Sequence, residues 1–451
     1  MSTKLFTFHL TILCLAASLL SVSNLFGQPV KLPVIKEVEK TLEKIEESGP
    51  RKRLPEIEAI GTPHVGISFD EIWQTALQHN PSIRQKQNLI AAAQGARQQA
   101  GLYPNPNMTY AGDNLGVDSG AGKHGLGVWQ EFVTADKKRL DRNIAGYDIA
   151  VARQEYDMEC RKLYNDLQIA FACMLHAQIA VQIERYSESL SDELLQAAIQ
   201  LQKEGKKKSI DVLQFRTNVK ESGLQVRLAE HNQRKAWREL ITVIGCTDWP
   251  QQAVRGSLTE NRQPRNWDAT WAALRADSPQ LDVACLRARQ AQANLARQTV
   301  ERVPNVTAGF SVAQDVTAKN TVPFVSVSVP LKVFDRNQGN IRKARAELAS
   351  ANREVERVLL SLHAELAEVF CTFQSAQESV LTYETEILPD TFKALHELND
   401  LYHQGTIDYL ELYTQRHDVL STLLRYNDAL KDQAVSATLI DGMLLKGTIK
   451  R

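Results

Sequence analysis

The chain has no net charge, few aromatic residues and few cysteines. Its 53 lysines and arginines balance 53 aspartates and glutamates, so no long-range electrostatic field favours nucleic acid as a partner. Its six cysteines form no CxxC pair and no zinc-like spacing, which argues against a disulfide framework. Aromatic residues make up only 7% of the chain. The remaining alanine-rich, charge-laced composition is typical of long helices.

Sequence motifs of catalysis are also missing. The chain contains no Walker A loop, no GxSxG and no HExxH, and its ten histidines are scattered. These motifs mark common nucleotide, hydrolase and zinc-protease sites. We therefore expect no enzymatic activity and no cofactor.

A long apolar run occurs only near the N-terminus. Lys4 precedes an apolar stretch at residues 5–20, and small residues follow up to Gly27. This pattern predicts a signal peptide over residues 1–27, with an uncleaved anchor as the alternative. No later stretch has 18 consecutive apolar residues, so we expect no transmembrane helix in the mature chain. If the protein enters a membrane, it must do so with strands.

The remainder of the sequence contains an internal repeat. Trp73, Pro81 and Pro106 recur 198 residues later as Trp271, Pro279 and Pro304. Leu201, Gly205, Asp211 and Arg216 recur 200 residues later as Leu401, Gly405, Glu411 and Arg416. Solenoid repeats are far shorter than this. We therefore predict one duplicated unit, with repeats at 68–250 and 267–443, a linker at 251–266, an N-terminal extension at 28–67 and a C-terminal tail at 444–451.

The first repeat predicts helices around one pair of strands. Ser68 and Glu71 form a capping-box pattern, and Pro81 re-starts a helix that continues to Tyr103. Strand candidates follow at 107–113 and 125–134. The next stretch, 138–204, contains no proline, and its helical periodicity predicts one very long helix. A helix at 210–244 completes the unit.

The second repeat predicts the same order. A helix at 267–303 precedes strands at 305–314 and 323–333. A long helical stretch then covers 337–404, in which Pro389 should either kink or split the helix. A final helix covers 409–440. The fold class is therefore mainly α, with four strands in each chain.

Apolar and small polar side chains alternate along the predicted strands, as they do in membrane β-barrels. Val325, Val327 and Val329 fall on one face, and Ser326 and Ser328 fall on the other. This period of two fits a strand between lipid and a wet lumen, although a half-buried strand of a soluble sheet would show it too. Four strands cannot close a barrel, and open edges are not tolerated in lipid. Three copies would supply twelve strands. The candidates for interfacial aromatic residues are Tyr110, Trp129, Phe132, Phe310 and Phe324.

Four strings of residues resemble the TolC-like outer-membrane efflux proteins. They are SFDEIWQTALQHNP at 68–81, GLYPNP at 101–106, PLKVFDRNQGNI at 330–341 and GTIDYLEL at 405–412. The third string resembles the cation-efflux branch. The resemblance covers about residues 68–443. It implies a homotrimer with a twelve-stranded barrel in the outer membrane and an α-helical barrel in the periplasm, a passive exit duct that meets a periplasmic adaptor (membrane fusion) protein and an inner-membrane pump.

The resemblance also points to residues at the helical turns. Gly205, Ser209, Gly405 and Thr406 are expected at the periplasmic tip, where an adaptor would dock. Glu411 matches an acidic residue that narrows the family's channel, and Asp211 is its counterpart in the first repeat. Some relatives have a second acid where this chain has Thr414, so Asp408 is a further candidate for the pore constriction. The alternative is that these acids only cap helices.

Two alternatives remain open at this stage. His396, Asp400 and His403 share one helical face and could bind a transition metal, but a solvated polar face gives the same spacing. The rival function is a periplasmic coiled-coil adaptor or scaffold that never enters the membrane. Adaptors need a compact β-rich domain, and the sequence shows none.

Overall fold

The computed structural model describes residues 66–115, 122–259, 263–316 and 318–448. The predicted signal peptide and most of the predicted extension lie outside the described residues. Within the described ranges, each half of the chain contributes helices and two strands, in the predicted order.

The first repeat contains six elements. They are α1 (Phe69–His79), α2 (Pro81–Gly101), β1 (Asn107–Asp113), β2 (Lys123–Phe132), α3 (Lys137–Lys203) and α4 (Ser209–Ile244). The predicted capping box at Ser68 is present, because the Ser68 hydroxyl accepts the Glu71 N–H and the Glu71 carboxylate accepts the Ser68 N–H. Asn80 ends α1 and caps α2, with Pro81 in the first turn where no N–H is needed.

The second repeat contains α5 (Trp267–Asp277), α6 (Pro279–Val300), β3 (Val306–Asp315), β4 (Asn320–Ser328), α7 (Gln338–Thr382), α8 (Leu388–His403) and α9 (Tyr409–Asp441). The single helix predicted at 267–303 is wrong: Ser278 and Pro279 divide it, as Asn80 and Pro81 divide the first repeat. The strand predicted to reach Val333 ends at Ser328, because Pro330 cannot donate to a ladder.

The helical stretch predicted to kink or split at Pro389 contains one turn of π-helix just before that residue. Residues Tyr383–Ile387 form a single turn of π-helix between α7 and α8. Pro389 has no N–H to donate to the preceding turn, and a helix that contains such a gap accommodates it by local widening. Helical structure therefore continues from Gln338 to His403 through one wider turn.

The longest element is α3, with 67 residues, about 100 Å at 1.5 Å per residue. It packs against α2, α4, α6 and α9. One window of 18 residues in α3 is apolar enough to cross a membrane, but 56% of that window is buried inside the protein. That burial is expected of a core helix. None of the five cysteines in the described residues forms a disulfide.

Three hydrophobic clusters hold the helices together. One lies among α1, α3 and α4 and includes Leu167 and Leu240. A second, around Leu366 and Phe373, joins α5, α7 and α9. The third lies between the hairpin α3/α4 and the hairpin α8/α9. The two hairpins thus share one apolar core close to their turns.

The predicted linker and tail are both packed on α3. Ile67 and Val254 form a short parallel bridge, and the Gln178 side chain donates to the Val254 carbonyl at 3.1 Å while accepting its N–H at 2.8 Å. Leu445 is fully buried, and the Asn165 amide donates to its carbonyl at 2.8 Å. These segments therefore belong to the folded body up to residue 448.

Candidate functional site: the strand sheet and the two helical turns

The four strands form one antiparallel sheet in the order β1-β2-β3-β4. Phe310 pairs with Val325 and with Val128, so the residues on one face can be read across all four strands. That face carries Met108, Tyr110, Leu126, Val128, Phe132, Phe310, Val312, Val325 and Val327. Met108 is 79% exposed and Val325 is 71% exposed. The same register places Gln130, His124 and Gln314 on this face too. A largely apolar face that the chain leaves exposed marks a surface that meets lipid or a partner.

The opposite face consists mainly of small and polar residues, and it also carries Trp129, Phe324 and Val322. Gly127, Gly309, Ser311 and Ser326 lie on it. A Cβ atom added to Gly127 would lie 2.1 Å from the Trp129 ring, and one added to Gly309 would lie 2.2 Å from it. The Trp129 indole therefore lies flat across two strands, in space that only glycine provides.

This register corrects two of the aromatic predictions. Tyr110, Phe132 and Phe310 are on the apolar face, as expected of interfacial residues. Trp129 and Phe324 are on the polar face, since Trp129 pairs with Gly309 and Phe324 pairs with Ser311. In a period of two, one step in register moves a side chain to the other face. Aromatic content alone could not distinguish the faces.

The outer edges of the sheet are open. β1 and β4 each pair on one side only within the chain. An open edge presents unpaired N–H and C=O groups, which hydrocarbon cannot satisfy. The apolar face and the open edges together require further strands if the sheet is to lie in a membrane.

A buried lysine joins the sheet to the helices. Lys137, at the start of α3, is 1% exposed. Its Nζ donates to the Val303 carbonyl at 2.6 Å and to Asn305 Oδ1 at 2.8 Å, and Asn305 Nδ2 donates to Glu131 at 2.7 Å. This network ties α3 to the entry of β3 and the end of β2. Sequence analysis missed it, because a lysine in the first turn of a helix looks like an exposed residue.

The two turns at the far end of the helices share one backbone geometry. Gly205 has φ +74° and Gly405 has φ +73°. The Lys206 N–H donates to the Leu201 carbonyl at 2.9 Å, and the Thr406 N–H donates to the Leu401 carbonyl at 3.0 Å. Both patterns are Schellman motifs, which favour glycine in the left-handed conformation. The predicted tip residues Gly205, Ser209, Gly405 and Thr406 are all exposed at these turns.

Two of the three predicted constriction acids cap helices. The Asp211 carboxylate accepts the Lys208 N–H at 3.2 Å. The Asp408 carboxylate caps α9 by accepting the Glu411 N–H at 3.1 Å. The side chain of Glu411 itself is exposed. Helix capping therefore accounts for Asp211 and Asp408, while the Glu411 carboxylate faces solvent.

A hydroxyl cluster connects the two hairpins above the turns. The Tyr413 hydroxyl of α9 lies 3.0 Å from Ser191 Oγ of α3, which lies 2.8 Å from Ser222 Oγ of α4. Burial raises the pKa of the nearby Tyr409, and the negative charge of Glu193 adds to the shift. Sequence analysis missed this cluster because isolated serines and tyrosines in a helical pattern give no signal of contact.

Only one of the two histidines proposed as metal ligands has a described contact with the acid. His396 Nε2 lies 3.7 Å from Asp400 Oδ2, whereas the His403 ring lies against Tyr402, with centroids 5.9 Å apart. Among the described residues, no group of three or more histidine, cysteine, aspartate or glutamate side chains could hold a metal ion. The metal-site candidate is therefore not supported, and the polar-face interpretation accounts for the spacing.

Comparison with known proteins identifies relatives of both sequence and fold. The chain is 22% identical over 276 residues to the cobalt-zinc-cadmium resistance protein CzcC of Cupriavidus metallidurans. The alignment covers 61% of this chain and 66% of CzcC, so the chain matches just under two thirds of the length of that relative. Its fold resembles the outer-membrane channel OprN, with a TM-score of 0.68 and 18% identity over 83% of this chain and 89% of that one. The open state of the Neisseria gonorrhoeae MtrE outer membrane channel also gives a TM-score of 0.68, with 15% identity over 86% and 90% of the two chains.

A family match covers each half of the duplication separately. The family described as outer membrane efflux protein matches residues 72–246 and again residues 272–444. These matches leave the adaptor alternative without support. The protein lies in the outer membrane. The chain belongs to the outer membrane efflux protein family.

Proposed function

We propose that three copies of this chain form the passive exit duct of a tripartite efflux system. The observation that carries the proposal is the four-stranded sheet, which exposes an apolar face and has two open edges. Pairing β4 of one copy with β1 of the next would close a barrel of twelve strands. The backbone N–H and C=O groups of every edge strand would then have hydrogen-bond partners. The long helices would then continue the wall into the periplasm, and no catalytic group is required.

The partners in this proposal meet the two helical turns. Gly205, Ser209, Gly405 and Thr406 lie at the end of the helices farthest from the sheet and are exposed. A periplasmic adaptor would dock there and connect the duct to an inner-membrane pump. The cargo would be small molecules or cations, and the name of the CzcC relative, a cobalt-zinc-cadmium resistance protein, supports cations.

Cell fractionation tests the proposal directly. We expect the protein in the outer membrane, extracted by detergent as a trimer that resists SDS until it is heated. Deletion of the gene should increase sensitivity to the exported compounds, with cobalt, zinc and cadmium salts as the first probes. A soluble periplasmic monomer would contradict the proposal.

Glu411 is the proposed carboxylate of the pore constriction. A ring of three carboxylates would attract cations, and the exposed Glu411 side chain is available for it. We expect Glu411→Gln to lower the cation selectivity of single channels roughly several-fold, since a ring of like charges sets the local ion concentration. The control variant is Ser209→Ala, at an exposed, uncharged residue of the other turn, for which selectivity should stay unchanged. Equal selectivity in both variants would remove Glu411 from the constriction.

A further inference from the structure

The two helical turns have the same backbone but opposite charge. The first turn, defined as residues 200–212, contains four lysines and two acids, whereas the second turn, residues 400–412, contains three acids and neither lysine nor arginine. The glycines, their φ angles and the backbone hydrogen bonds are matched between them. The charges are therefore not needed to build the turn.

The lysines of the first turn are crowded and only partly compensated. Lys206, Lys207 and Lys208 are consecutive, and Lys206 and Lys208 are exposed. The described ion pair within the turn joins Lys206 to Glu204 at 3.0 Å, and hydrogen bonds from Lys206 and Gln200 lower the pKa of Glu204. The two carboxylates of the turn cannot neutralise its four lysines, so the turn keeps a net positive charge.

An apolar side chain accompanies these lysines. Ile210, within the first turn, is 58% exposed, while its counterpart Leu410 in the second turn is 37% exposed. Surfaces that bind proteins combine apolar contact with charged groups that select the partner. The first turn thus offers both parts of a recognition surface.

The second turn cannot be displaced to meet these lysines without loss of core packing. Ala198, just before the first turn, and Val212, at its end, belong to the same hydrophobic cluster as Leu395 and Leu412. The shared core holds the two turns next to each other at one end of the chain.

We propose that the first turn binds an acidic helical-hairpin tip of the periplasmic adaptor, through Lys206, Lys207, Lys208 and Ile210. The inference rests on the proposed function and adds the chemistry of the partner to it. An acidic tip fits because it removes the repulsion among the lysines, and charge complementarity sets specificity and association rate. The contact is exposed, so it weakens as salt screens it.

Designed hairpins test this proposal on the intact, detergent-extracted protein. Three synthetic helical hairpins would differ only at the tip, which carries Glu-Glu, Gln-Gln or Lys-Lys. We expect the Glu-Glu hairpin to bind at least tenfold tighter than the Lys-Lys hairpin at 50 mM salt, with the ratio falling at 300 mM. The variant K206Q/K207Q/K208Q should lose the preference, and K206E/K207E/K208E should reverse it.

The control variant removes the same number of charges elsewhere. Arg342, Lys343 and Arg345 are exposed on α7, and their replacement by glutamine should leave the tip preference intact. All variants must first migrate as heat-modifiable trimers, which shows that a lost preference is not a lost fold. Equal binding of the three hairpins, or an unchanged preference in K206Q/K207Q/K208Q, would overturn the proposal.

Two further results distinguish the rival explanations. Binding of anionic phosphatidylglycerol vesicles, without any preference among hairpins, would assign the lysines to a lipid surface and contradict an adaptor contact. A chain absent from the outer membrane would overturn the proposed duct. A normal outer-membrane trimer without tip preference would overturn only the charge inference.

Discussion

At the scale of single residues, the contact between Trp129 and the glycines beneath it sets the shape of the polar sheet face. Gly309 lies under Cδ1 of the indole and Gly127 lies under its six-membered ring. A side chain at either glycine would have to share space with the ring. Covering glycines with an aromatic ring also restores some of the packing that glycine loses in a strand.

The first prediction concerns Gly309→Ala. The new methyl would meet Trp129 at 2.2 Å, and overpacking of this kind costs about 1–3 kcal/mol. We expect the SDS-resistant trimer to dissociate at a lower temperature. In a Trp129→Ala background the same substitution should cost much less, because the clash is gone. Equal losses in the two backgrounds would show that the ring and the glycine are independent.

The second prediction concerns two glutamates one turn apart on α3. Burial raises the pKa of Glu159, offset only in part by Lys162 and Lys86. For Glu155, burial works in the same direction, but hydrogen bonds and charges from Lys86 and Arg287 outweigh it and lower the pKa. Lys86 lies 2.8 Å and Arg287 2.9 Å from the Glu155 carboxylate. The folded protein thus disfavours the charged form of Glu159 and favours the charged form of Glu155.

These opposite shifts give opposite dependences on pH. A raised pKa in the folded state means that stability falls as pH rises above the ordinary carboxyl value of about 4.3. Glu159→Gln should therefore raise the free energy of unfolding at pH 7 by on the order of 1 kcal/mol and change little at pH 4. Glu155→Gln should lower it at pH 7 by about 1 kcal/mol. Thermal melts of both variants at the two pH values check this, and a destabilising Glu159→Gln at pH 7 would contradict it.

At the scale of elements, the turn of π-helix before Pro389 is the main departure from regular structure. Residues Tyr383–Ile387 widen the helix where Pro389 withholds a donor. The Tyr426 hydroxyl of α9 donates to Glu384 in this turn at 2.5 Å. The widening therefore also presents a side chain to the neighbouring helix.

The third prediction concerns Pro389→Ala. The alanine restores an N–H, so we expect residues 383–389 to become regular α-helix. Amide hydrogen exchange across the segment should then slow by roughly tenfold, since proline in a helix interior costs about 3 kcal/mol and alanine does not. Thr391→Ala, two residues further along α8, is the matched control and should leave the exchange rates near Pro389 unchanged. Unchanged exchange rates in Pro389→Ala would show that side-chain packing, and not the missing N–H of Pro389, stabilises the π-helical turn.

How far sequence predicts elements depends on whether the signal is local. Capping at Ser68, the restart at Pro81 and the turn at Gly405 were predicted correctly, because side-chain type fixes each within a few residues. The split at Ser278 was missed although Pro279 repeats Pro81, because the helical periodicity on both sides hid it. The metal-site candidate failed since ring orientation, which periodicity does not encode, turns His403 toward Tyr402.

At the scale of the whole molecule, the strand edges determine how copies assemble. β1 and β4 are the two outer strands of each sheet. Thr109 and Ser326 lie on the polar face, whereas Val325 lies on the apolar face. In a closed barrel, β1 of one copy would run beside β4 of the next.

The fourth prediction uses cysteines at these edges. Thr109→Cys combined with Ser326→Cys, or with Ser328→Cys, should yield covalent trimers on oxidation, since neighbouring side chains on one face come within disulfide distance. The register between copies decides which of the two pairs reacts. Thr109→Cys with Val325→Cys places the thiols on opposite faces and should stay monomeric in heated SDS, like the parent chain. Absence of cross-links in both same-face pairs would contradict closure by these edges.

The sequence by itself determined the duplication, the order of elements and the alternation of the strands, because each of these is a local or periodic pattern. It also determined the glycine turns, since few other residues adopt a positive φ without strain. Only the tertiary structure decided which strand face Trp129 occupies, that Lys137 is buried and that Tyr413 meets Ser191. Those facts depend on register and on contacts between residues far apart in the chain, and no local pattern carries that information.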